Sequence, residues 1–223
     1  MDKKIIVGVL ILSVAAFVVG ILIPGGDVKH QQTLPWQIET TTDGSTRVFG
    51  LVLGKSTLQQ AEQKLQSTAE ITLFEPANKT PTVEAYFDKI MLAGLSAKII
   101  IELDIPKTQR QAMFARGTRI STLASGTHKV SLHNQDLALA RNSAVATIAY
   151  LPRTRLQQDL IYKRFGEPAQ RITIAETKTT HWLYPQLGLD IALNETGNAV
   201  LQYVAPAQFA RLRQPLLNKT KPE

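Results

Sequence analysis

The chain contains no cysteine. That excludes disulfides and a lipid-modified N-terminal cysteine, and it is compatible with an oxidising compartment. Long charge runs and low-complexity tracts are also missing, so a packed core is expected in place of disorder. Catalytic signatures are equally scarce. There is no G-x-S-x-G, and Ser125 precedes a glycine only in an expected hairpin turn beside His128. The histidines, His30, His128, His133 and His181, are scattered, whereas a metal site needs convergent ligands. Gly50-x-x-x-Gly54-Lys55-Ser56 is one residue short of a phosphate-binding loop, with Phe49 where the first glycine belongs. Glu102 and Asp104 suit a solvated turn boundary, and Asp190 reads as a solvent-facing residue of a half-buried strand. On these grounds no catalytic residue, metal ligand or cofactor is assigned.

What the chain does have is one long apolar run. Ile5 to Ile23 is uncharged and carries a single hydroxyl, Ser13. As a helix it extends about 28 Å, close to the roughly 30 Å of a bilayer's hydrocarbon core. Lys3 and Lys4 precede it and Lys29 follows, a bias that puts the N-terminus in the cytoplasm. Ser13-Val14-Ala15 has the spacing of a cleavage site. Yet Ala16 to Ile23 stay apolar or glycine where such a region turns polar, so an uncleaved signal anchor is expected. The rest of the chain then lies in the periplasm, anchored to the inner membrane and away from nucleic acid.

The net charge of +7 is uneven. Residues 25–106 carry −3, residues 107–171 carry +8, and residues 172–223 carry +1. Within the basic stretch, Arg153, Arg155, Lys163 and Arg164 gather around one expected helix. Arg155 stands near its N-terminus, where the helix dipole mildly disfavours a cation. These four residues are the candidate contacts for an acidic partner: an envelope protein, or an anionic lipid or glycan.

Periodicity and turn residues suggest the organisation. Residues 1–26 are the anchor and 27–34 a polar stalk, closed by Pro24-Gly25-Gly26 at their junction. Trp36, just beyond, suits either the head-group interface or a plug in the domain's core. A first α+β unit is expected over 35–106, a basic helix–hairpin insert over 107–143, a second unit over 144–217 and a tail over 218–223. Ser56 with Gln59, Thr108 with Gln111, and Thr154 with Gln157 all read as capping boxes. Gly117 reads as a helix stop.

The two units open alike. Ser56-Thr57-Leu58-Gln59-Gln60 and Thr154-Arg155-Leu156-Gln157-Gln158 each follow a strand-like run and lead into extended segments. Gly54-Lys55-Ser56-Thr57 with Leu65, and Phe165-Gly166-Glu167-Pro168, resemble the helix-opening and helix-closing pattern of the BamE (SmpA/OmlA) family of bacterial envelope lipoproteins. The chain departs from that family in its missing cysteine, in Gln66 where glycine is expected, in the later placement of Gly166, and in having two units. The resemblance implies a two-helix, antiparallel-sheet fold and a non-enzymatic accessory role. The expected fold class is thus α+β: a transmembrane helix, then two helix-plus-antiparallel-meander units. The expected function is a non-catalytic binding or scaffold protein of the cell envelope. An envelope hydrolase acting on peptide, glycan or lipid is the first alternative, a carrier of an apolar ligand the second.

Overall fold

The computed structural model describes residues 34–77 and 79–219. The expected anchor, nearly all of the stalk and the last four residues of the tail lie outside the described residues. Among the described residues no helix is long and apolar enough to cross a membrane.

The fold is mostly β, which corrects the expectation of two α+β units. Three short strands, β1 (Glu39–Thr40), β2 (Thr46–Val48) and β3 (Leu51–Val52), make a small antiparallel sheet. The other ten build one continuous antiparallel sheet. They are β4 (Glu70–Glu75), β5 (Thr82–Leu92), β6 (Leu95–Asp104), β7 (Arg119–Thr122), β8 (His128–Ser131), β9 (Ala144–Pro152), β10 (Gln170–Ile174), β11 (Thr179–Tyr184), β12 (Leu189–Asn194) and β13 (Ala199–Tyr203). Their spatial order is β10-β11-β12-β13-β9-β6-β5-β4-β8-β7. Both expected meanders and the insert's hairpin therefore join a single sheet. The seam is β9, which pairs Tyr150 with Ile99 of β6 on one side and with Leu201 of β13 on the other. Sheet continuity follows from hydrogen-bonding demand: two buried meanders side by side would leave four edges of unpaired backbone groups, and joining them removes two.

Strand alternation sets the two faces. Val83, Ala85, Phe87, Ile99, Ile101, Ile148, Tyr150, Leu201 and Ile191 point to one face and form the core. Four helices are linked to that sheet: α1 (Leu58–Leu65), α2 (Lys107–Ala115), α3 (Asn134–Asn142) and α4 (Gln158–Phe165). Leu58, Ala61, Leu65, Met113, Ala140 and Ile161 supply their buried contacts to the core. The fifth helix, α5 (Ala210–Lys219), lies over the opposite face. Leu216, with Phe209 just before the helix, packs there on Ile172, Ile174, Leu183 and Val204 in a second cluster. Arg211 of α5 reaches Glu102 of β6 at 2.8 Å.

Helix starts differ from the expected ones in instructive ways. At α1 the cap is Thr57, whose side chain accepts from Gln60 N, while the Gln60 side chain accepts from Thr57 N. Ser56 instead uses its hydroxyl to accept from Val52 N at the end of β3. Pro106 and Gln157 precede α2 and α4 without any side-chain cap, so the boxes at Thr108 and Thr154 do not form. His133 caps α3, its Nδ1 accepting from Gln135 N at 3.3 Å. Gly117 has an ordinary negative φ. A Cβ there would collide with the Val130 side chain, so close packing and not helix termination requires the glycine. Gln66 closes α1 with φ 50°, the left-handed conformation that glycine adopts most cheaply.

Candidate functional site

The local sequence explains why α4 stands away from the sheet. Leu156 N donates to Gly197 O at 2.8 Å, in the turn between β12 and β13. That bond ties the stretch before the helix to the turn, and the helix begins at Gln158. Of the helix's apolar residues only Ile161 is fully buried; Leu160, Tyr162 and Phe165 are half-buried. Between α4 and the sheet a trough remains, with a cavity of about 110 Å³. Leu156, Leu160, Ile161 and Phe165 form one wall, and Tyr150, Pro152 and Leu201 the sheet side. Leu95, Pro35 and Trp36 close it.

The entry segment is pinned by an aromatic cluster. Tyr203 donates its hydroxyl to Pro35 O at 2.9 Å, and Phe49 packs between Tyr150 at 5.4 Å and Tyr203 at 5.6 Å. Burial pushes the Tyr203 hydroxyl well above its ordinary pKa and raises that of Tyr150. The Tyr150 hydroxyl is buried without a hydrogen-bond partner among the described residues.

Two of the four candidate cations meet at this trough. Arg155 lines it at the start of α4, and Arg164 lines it in the last turn. The Arg164 guanidinium stacks over the Trp36 ring at 4.4 Å, a cation–π contact that fixes both groups at the mouth. Among the described residues neither arginine faces a carboxylate within ion-pair distance. Arg153 lies elsewhere: its N donates to Ser96 O and its guanidinium stands 4.0 Å from Asp88. Lys163 is exposed and does not line the trough. Trp36 is not a core plug; it is half-buried at the rim of the trough. Tyr150 and Leu95 carry no charge or motif, so nothing in the sequence marked them.

The other reactive groups are dispersed. Asp190 is 1% exposed, which overturns its reading as a solvent-facing residue. Its Oδ2 lies 2.8 Å from His181 Nδ1 on the neighbouring strand, and its Oδ1 has no hydrogen-bond partner among the described residues. Burial raises the carboxyl above the ordinary aspartate range, against the lowering pull of His181. Its strand neighbour Leu183 joins the cluster under α5, so this outer face is covered rather than solvated. Glu84 stands directly across from Glu102, and burial, with the Glu102 charge adding to it, raises its pKa. His128 lies 3.2 Å from Glu75, and Ser125 donates its hydroxyl to Thr127, so these two do not combine. Among the described residues no three His, Asp or Glu side chains converge as a metal site would need.

No family model, curated protein or solved structure matches the chain.

Proposed function

We propose that the chain is a non-catalytic binding protein of the cell envelope, tethered to the inner membrane, that holds an acidic protein partner at the α4 trough. The single observation behind this reading is the pairing of two arginines that have no carboxylate partner among the described residues, Arg155 and Arg164, with one apolar trough between them. Exposed ion pairs contribute little alone, but charges bordering a desolvated apolar contact steer and select a partner. The tether rests on the apolar run Ile5 to Ile23 and its orientation on Lys3 and Lys4. The cavity, at about 110 Å³, is well below the roughly 300 Å³ at which pockets for whole small molecules begin. That size favours a protein contact over a lipid cargo.

The test is cross-linking of the full chain in membranes followed by recovery of what it holds. Arg155→Glu with Arg164→Glu is expected to reduce capture at least tenfold, while Lys163→Glu changes it little. Capture that is unaffected by the double reversal contradicts the proposal.

A further inference from the structure

We infer that the trough takes an extended segment of the partner in which one bulky apolar residue has a carboxylate two positions away on each side. This rests on the reading of the α4 face as the acidic-partner surface. Size comes first. A dry cavity of about 150 Å³ holds one benzene, so a cavity of about 110 Å³ holds one apolar side chain.

Spacing comes next. From Gln158 to Arg164 the helix advances about 9 Å, and Arg155 lies three residues before the helix begins. The two cations therefore stand at opposite ends of the trough, too far apart to share one carboxylate. In an extended chain, residues two apart lie on the same face, and the span from i−2 to i+2 is about 13–14 Å. An apolar residue at i then enters the trough while carboxylates at i−2 and i+2 face Arg155 and Arg164. Carboxylates at i−1 and i+1 point away from the surface. A free fatty acid has one anionic end and leaves one arginine unanswered.

Backbone chemistry separates an extended segment from a helix. A helix satisfies its own amides and carbonyls, whereas an extended segment presents them. The start of α4, between the trough residues Leu156 and Leu160, offers amides in need of such partners, because the helix begins without a side-chain cap. Asp159, in the first turn of α4 and exposed, adds a modest penalty to any acid placed directly at the helix start.

The experiment is a fluorescence titration of the full chain in lipid nanodiscs. Trp36 at the rim reports, and Trp182, 1% exposed, is constant background. The probes are three acetylated, amidated peptides of one composition: a central Leu, two Glu, and Ser elsewhere. The glutamates sit at i±1, i±2 or i±4. The i±2 peptide is expected to bind at least tenfold more tightly than the other two. In Arg155→Gln/Arg164→Gln, with an unchanged melting midpoint, that preference is expected to fall below threefold. Equal affinities, tightest binding by the i±4 peptide, or no titration by any peptide overturns the inference. If the spacing is indifferent while the double reversal still abolishes partner capture, the extended register alone is lost. If capture is also unaffected, the acidic-partner reading falls with it.

Discussion

Ser56-Thr57-Leu58-Gln59-Gln60 and Thr154-Arg155-Leu156-Gln157-Gln158 lead into α1 and α4, yet the two helices meet the sheet on different terms. At α1 the stretch is stitched to the start of β9: Leu58 N donates to Ser143 O, Val145 N to Ser56 O, and Thr57 bridges Ala144. The cap is reciprocal, and Leu58 and Ala61 are sealed completely. At α4 the stretch has one bond to a turn, no side-chain cap, and a single sealed residue, Ile161. The lesson is that a short polar opening permits a helix start but does not place it; the backbone partners around the opening do. The α1 end spends its contacts on stability. The α4 end leaves apolar surface half-buried and, among the described residues, two arginines without a carboxylate partner.

Six substitutions, in three pairs, break or sharpen that contrast, read as unfolding free energies by urea titration of the full chain. The largest effect belongs to the core residues. Leu58→Ala is expected to cost about 2–5 kcal/mol, and Leu156→Ala, half-buried at the trough, well under half as much. Equal losses would mean that the two helices are equally embedded. Next are the C-terminal ends. Gly166 closes α4 at φ 76°, ψ −162°, a region open essentially to glycine, so Gly166→Ala is expected to cost about 1–3 kcal/mol. Thr57→Ala removes a formed capping box and is expected to cost about 1 kcal/mol, whereas Thr154→Ala, with no cap to lose, changes stability by less than about 0.5 kcal/mol. The smallest effect is a gain. Gln66→Gly relieves a left-handed residue and is expected to add about 0.5–1 kcal/mol.

Much of the strand content was legible, because β-branched and alternating stretches such as Ala97–Leu103 and Ala144–Leu151 state their period locally. The hairpin around Ser125 and Gly126 was legible for the same reason, and it forms with β7 and β8 in register. The joining of the strands was not. Pairing of Ile99 with Tyr150 and of Tyr150 with Leu201 is decided by distant segments, and no local pattern records it. Asp190 shows the same limit: its strand alternates as a half-exposed one should, but Phe209 and Leu216 come back from the C-terminus to cover that face. For the site, charge density alone singled out Arg153, Arg155, Lys163 and Arg164. Which two of them border an apolar trough depends on Trp36, Leu95 and Tyr150, which reach it from three separate parts of the chain.

The proposed partner face is α4, and not α1. Photo-cross-linking from single positions in the full chain, in its own membrane, tests this most directly. A cross-linker replacing Leu160, on the trough wall, is expected to capture one predominant acidic protein, and Arg155→Glu with Arg164→Glu to abolish the adduct. A cross-linker replacing Gln60, exposed on α1, is expected to capture little. Equal adducts from both positions, or an adduct at Leu160 indifferent to the arginines, would contradict it.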